Sequence, residues 1–173
     1  MKSLEGQKYT TVIIQNSFLN EESPVTKRIS LLKNDLRERG IEVIEVKNFK
    51  EAIEEAAINK SIDCLLVDWN LNKKSIEKEK EFVNLITVLH ERQEGVPVFL
   101  LAEKTDTTSS LDECTLNSID EYIWILENDI DFIGERISEE IKQYRDALLP
   151  PLAKAVFNYN KVAEYSWAAP GHQ

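Results

Sequence analysis

The sequence predicts an α/β fold: a five-stranded parallel sheet with helices on both faces, followed by a C-terminal helical linker. Three observations carry this. Short β-branched and apolar runs recur along the chain, and between them lie longer stretches whose apolar residues fall at helical spacing. One run, "IDCLLVDW" (62–69), is almost continuously apolar, as a central strand covered on both faces must be. Regular alternation of the two segment types is the pattern of parallel strands joined by helical crossovers.

The elements follow in order. "YTTVIIQ" (9–15) is the first strand. Ser23-Pro24 places an N-cap before a proline at the first helical position, and Val25, Ile29, Leu32 and Leu36 trace the buried face of a helix that Gly40 stops. "IEVIEV" (41–46) alternates and is the second strand. Asn48 and Glu51 have the spacing of a capping box for a helix through Phe49, Ile53, Ala56 and Ala57. After the central strand, a helix spans about 75–92 with Phe82, Leu85, Ile86 and Leu89 inward. "VPVFLLA" (96–102) is the fourth strand, with Pro97 near its start, where a missing N–H is tolerated. A short helix and the fifth strand, "EYIWIL" (121–126), complete the alternation. Asn128 is placed to cap a last helix bearing Ile130, Ile133, Ile137, Ile141, Tyr144 and Leu148 on one stripe. Such a chain is flavodoxin-like or receiver-like, with strand order 2-1-3-4-5. "LPPL" (149–152) must break the last helix, because proline removes a donor and clashes with the preceding turn. Residues 1–147 are therefore expected to form one domain, and 148–173 a linker.

Composition narrows the function. The chain carries 21 Lys and Arg against 31 Asp and Glu, a formal net charge of −10. That field repels phosphate backbones and anionic lipid, so neither nucleic acid nor a membrane is expected as partner. No apolar run approaches the roughly 20 residues of a membrane span, and "MKSLEGQKYT" has no apolar signal-peptide core, so a cytoplasmic location is expected. Cys64 sits in the apolar run "CLLV" as a small buried hydrophobe, and Cys114 lies on a polar stretch. No metal-ligand spacing exists.

The fold itself points to one place for chemistry, beyond the carboxyl ends of the strands. Asp68 ends the third strand, where receivers carry their phosphoacceptor. Phosphoryl transfer to an aspartate also needs a Mg²⁺ held by hard oxygen ligands. The receiver's acidic pair is replaced by Gln15, Asn16 and Ser17; Glu21 and Glu22 lie too far along the loop to serve. Leu101 stands in place of the Ser/Thr that senses the phosphoryl group, and Ile125 in place of the neutralising lysine. Dinucleotide, P-loop and nucleophile-elbow motifs are missing, and His90 is a helix-end or surface residue rather than a catalyst. Catalytic, cofactor-binding and metal-binding residues are therefore expected to number none.

The tail changes the picture. Leu149-Pro-Pro-Leu152, the Tyr159 region, Tyr165-Ser-Trp167 and Pro170-Gly-His172 occur in the order and spacing of the bacterial inducible Orn/Lys/Arg decarboxylases. The upstream "ILENDIDFIGERI" (125–137) also resembles the segment closing that family's N-terminal wing domain, and "SWAAPGHQ" is most similar to the arginine-specific branch. The resemblance implies a receiver-like wing domain plus linker, leading into a pyridoxal-phosphate-dependent, aminotransferase-like catalytic domain beyond Gln173. The Schiff-base lysine and phosphate-binding groups would lie there, so this portion would be non-catalytic and hold no cofactor of its own. His172 and Pro170-Gly171 would border the catalytic domain without being catalytic. Implied partners are its own catalytic domain and neighbouring subunits of a homo-oligomer. The alternative reading is a degenerate, stand-alone response-regulator receiver acting as an interaction module.

Overall fold

The computed structural model describes residues 9–15, 23–58, 61–68, 76–103 and 112–148. Five strands, β1 (Tyr9–Gln15), β2 (Ile41–Val46), β3 (Cys64–Asp68), β4 (Val98–Ala102) and β5 (Glu121–Trp124), alternate with five helices. These are α1 (Pro24–Glu38), α2 (Phe49–Ile58), α3 (Ile76–Arg92), α4 (Glu113–Asn117) and α5 (Ile130–Ala147). All strands pair in parallel in the order β2-β1-β3-β4-β5, as the alternation predicts. The order reverses between β1 and β3, which sets the switch point at their carboxyl ends.

The apolar residues divide between the two faces by strand period. Val12, Ile14, Leu65, Val67, Val98 and Leu100 pack under α2 and α3, whose Phe49, Ala52, Phe82, Leu85 and Leu89 are buried. Ile13, Cys64, Leu66, Phe99 and Leu101 point the other way, onto Ile29, Leu32 and Leu36 of α1 and Ile133, Ile137 and Ile141 of α5. Each fully buried Ile or Leu contributes about 2 kcal/mol relative to exposure. Both faces are covered, which is why β3 reads as one apolar run.

Local signals act largely as expected. The Ser23 hydroxyl accepts from the Thr26 amide at 3.1 Å, and Pro24 opens α1. Gly40 follows α1 at φ 84°, a left-handed conformation that favours glycine. Asn48 accepts from the Glu51 amide at 2.8 Å, but Glu51 reaches back to the Lys47 amide, one residue earlier than a capping box requires.

Three expectations need correction. β4 starts at Val98, because Pro97 has no N–H to give and instead accepts from the Leu65 amide at 2.9 Å. β5 ends at Trp124, and Ile125 turns inward as a buried residue beyond the strand. Asn128 does not cap α5: Asp129 holds the N-cap position, while the Asn128 amide donates to the Trp124 carbonyl at 3.1 Å. Asn128 is committed to the preceding turn. Leu148, at the end of the α5 stripe, is exposed. The "LPPL" and "YSWAAPGHQ" segments lie outside the described residues.

Candidate functional site

The carboxyl edge at the switch point is built by register. Gln15 pairs with Asp68, and Asp68 pairs with Leu101, so the three stand in one row across the central strands. Leu101 is fully buried. The Gln15 amide oxygen accepts from Lys33 of α1 at 3.0 Å, and the same ammonium is paired with Glu45 of β2, whose carboxyl that bond draws below its usual range. Lys33 is therefore spent on Gln15 and Glu45.

Asp68 is half-buried at the end of β3, and desolvation pushes its carboxyl up to about 6. Lys78 of α3 opposes the shift, and Glu103, just past β4, adds to it. Asp68 and Leu101 stand where the receiver comparison puts them, and the structure brings Gln15 beside them. Asn16, Ser17, Glu21 and Glu22 lie outside the described residues. Ile125 belongs to the apolar cluster under α1 and α5, and its carbonyl accepts from Arg28 at 3.0 Å. This row supplies one carboxyl group flanked by an amide and an alkyl chain. Among the described residues, no group of three or more His, Cys, Asp or Glu is placed to hold a metal ion. His90 lies near the end of α3 with Nε2 at 3.3 Å from the Val96 carbonyl, a structural position. Burial raises the Cys64 thiol well above its ordinary value, so its nucleophilic thiolate is suppressed.

The opposite, amino edge of the sheet holds a site that sequence reading missed. Asp63 is wholly buried; it accepts from the Thr10 amide at 2.8 Å and from the Arg145 guanidinium, one arm at 2.9 Å. Arg145 also donates to Ser61 at 3.0 Å and stacks over the Tyr9 ring, 5.2 Å from its centroid. Beside this pair, Gln93 donates to the Ile62 carbonyl at 3.1 Å and accepts from its amide at 3.0 Å. The end of α5 is thereby fastened to the base of the central strand. An open groove of about 430 Å³ adjoins it, lined by Pro97, Tyr144, Leu148 and the carboxylates of Glu94, Asp120 and Glu140. The signal for Asp63 was present: an acidic residue inside an apolar run must have a partner. Finding Arg145 required the fold, since the two are 82 residues apart.

With this geometry in place, comparison with known proteins supplies the context. A family model described as Orn/Lys/Arg decarboxylase, N-terminal domain, matches residues 25–144. The biodegradative arginine decarboxylase of Escherichia coli (strain K12) is 36% identical over 162 residues, which are 94% of this chain and 21% of that protein. The lysine decarboxylase LdcA of Pseudomonas aeruginosa is 22% identical over 93% of this chain and 22% of its own length. The solved structure of lysine decarboxylase A from that organism superposes with a TM-score of 0.71 at 20% identity, covering 98% of this chain and 23% of that one. The N-terminal domain of a response regulator/sensory box/GGDEF 3-domain protein from Carboxydothermus hydrogenoformans gives a TM-score of 0.58 at 15% identity, over 81% of this chain and 99% of that one. The fold is thus shared with decarboxylase N-terminal regions and with receivers.

Proposed function

We infer, from the premise that this chain belongs to the Orn/Lys/Arg decarboxylase N-terminal domain family, that it is the assembly and regulatory domain of a basic amino-acid decarboxylase. The observation that carries the reading is the match of nearly the whole chain to about the first fifth of such an enzyme, at 36% identity for the arginine decarboxylase. That relative's identity exceeds the 22% shared with the lysine enzyme, which favours arginine as substrate of the parent protein. On this reading residues 1–147 form the domain and 148–173 the linker to the catalytic part; α5 ends at Ala147, in keeping with that boundary. A cytoplasmic location accords with this role, and no described helix is long and apolar enough to cross a membrane.

Pyridoxal phosphate, which the family implies, supplies the electron sink for decarboxylation in the parent. It does not fit the groove at the amino edge. The groove at the amino edge is lined by three carboxylates and by no lysine, so it would repel a phosphate monoester and offers no amine for a Schiff base. On this reading the domain's contribution is non-catalytic, and no residue of this chain is assigned to the reaction.

The charge suggests how assembly is regulated. A net −10 on each domain opposes close approach of neighbouring subunits at neutral pH. Acid removes part of that repulsion, and carboxylates crowded at an interface take up protons above their model values. Because decarboxylation consumes a proton, assembly in acid would place the active form where it is needed. Sedimentation of the full-length parent from roughly pH 5 to 8, at low and high salt, tests this. Larger species at low pH, and at neutral pH on adding salt, are expected; a size independent of both would overturn it.

A further inference from the structure

The groove at the amino edge presents two kinds of surface. Glu94 and Pro97 reach it from the turn between α3 and β4, Asp120 from the approach to β5, and Glu140, Tyr144 and Leu148 from α5 and its cap. The Tyr144 ring forms an apolar wall that Gly95 borders closely, since a Cβ at Gly95 would lie 3.9 Å from Tyr144 Cε1. Leu148 adds an exposed alkyl chain at the rim. The three carboxylates have little cationic answer. Asp120 gives one oxygen to the Val98 amide at 2.7 Å. Glu140 meets Arg136 at 3.0 Å, an arginine shared with Glu121 and Glu139. Among the described residues that line the groove, none is a lysine or an arginine.

The sequence that follows Leu148 has the complementary character. Residues 147–163 are the longest stretch of the chain without an Asp or Glu, although the chain as a whole carries a net charge of −10. Within that stretch lie Lys154 and Lys161 beside the apolar Leu152, Val156 and Phe157. Pro150 and Pro151 cannot extend α5, so the chain must change direction directly beyond the groove. Even fully extended, the path from Leu148 to Lys154 spans no more than about 20 Å. At helical spacing Lys154, Phe157 and Lys161 share one face, which joins cations to an aromatic ring.

We propose that this groove is the seat of the chain's own residues 150–157, with the Phe157 ring over Tyr144 and Leu148 and the Lys154 ammonium among Glu94, Asp120 and Glu140. Burial of the ring and of Leu148 supplies most of the attraction. The ion pairs are exposed and contribute little by themselves, but they fix which residues of the segment enter. So seated, the segment is rooted at the same edge that Asp63 and Arg145 fasten, and the chain leaves the domain in one direction. This contact lies within a single chain and does not depend on the assembly reading.

Zero-length carbodiimide coupling of the dilute 173-residue chain, mapped by peptide mass spectrometry, tests the contact. Lys154 is expected to be joined to Glu94, Asp120 or Glu140. In an equal mixture of isotope-labelled and unlabelled protein, each joined pair should carry one isotope only. Raising the salt to about 0.5 M should lower the yield of these links about threefold. Lys154→Glu and Phe157→Ser should each shift the backbone amides of Gly95, Gln143 and Ala147 in NMR spectra. Joined pairs of mixed isotope would put a second copy in the groove and overturn the proposal. Failure of Lys154 to couple to any of the three carboxylates, or amides unmoved in both variants, would overturn it as well. The coupling of the unaltered chain stands whether or not the variants fold.

Discussion

Asp63 and Asp68 sit at opposite ends of one strand, and their surroundings assign them opposite roles. Asp63 is wholly buried but receives the Thr10 amide and two arms of Arg145, so its charge is answered. Removing the arginine leaves that charge buried and unpaired. Arg145→Ala is expected to cost about 3 kcal/mol, read from urea unfolding at neutral pH, a loss typical of breaking a buried pair. Arg145→Lys should recover only part, because an ammonium cannot reproduce the two-armed contact. A loss below about 1 kcal/mol for the alanine variant would show that water replaces the guanidinium.

Asp68 carries the opposite sign. Its folded-state carboxyl is raised from 3.8 to about 6, so protonation is easier in the folded protein than in the unfolded one. The stability this contributes is fully present below about pH 4 and is lost as pH rises through about 6. At pH 7 the ionised group therefore costs on the order of 2 kcal/mol, after allowing for its partial exposure. Asp68→Asn should be more stable than wild type at pH 7 by about that amount. The advantage should shrink steadily towards pH 4, as denaturant midpoints measured across the range would reveal. Equal stability at pH 7 would mean that the carboxylate is solvated after all.

At the scale of elements, the contact between α1 and α5 is set by a glycine. A Cβ placed on Gly134 would lie 1.8 Å from Asp35 Oδ2 and 2.9 Å from Arg39 Nε. Asp35 and Arg39 are themselves paired at 2.7 Å, and Arg39 reaches across to Asp131 at 2.8 Å. The two helices thus meet at an ion-paired ridge that admits no side chain at 134. Gly134→Ala should destabilise the domain by about 1–3 kcal/mol despite the better helix propensity of alanine, with thermal unfolding as the readout. A stabilised variant would mean that the ridge yields freely. The sequence already disclosed the buried faces of both helices, because apolar spacing is a local signal. It did not disclose Gly134, since a glycine within a helix tells nothing of what approaches it. Boundaries were also harder to see than elements: β5 stops at Trp124, where a turn begins that the Glu127 amide closes on the Trp124 carbonyl at 3.1 Å, and Asn128 serves that turn instead of capping α5.

For the molecule as a whole, both the sheet order and the division of the core were legible. They follow from strand period, helix period and the rule that crossovers cover both faces. The expectation of lost phosphoryl-transfer chemistry rests on residue types at strand ends, and the register sets Gln15, Asp68 and Leu101 in one row there. What remained hidden was the amino edge, where Asp63, Arg145, Tyr9 and Ser61 converge from distant parts of the chain. That edge fixes the last turn of α5 to the base of the central strand. A domain held firmly there and bearing a net charge of −10 is what the proposed assembly role calls for.

The most direct test of that role is a comparison of sedimentation for the full-length parent decarboxylase and a form lacking residues 1–147, both at about pH 5.5 and about pH 8. The full-length enzyme should form larger species at the lower pH. The shortened enzyme should stay at one smaller size at both values while retaining pyridoxal-phosphate-dependent decarboxylation. Identical size distributions for the two proteins at both pH values would contradict an assembly function for this domain.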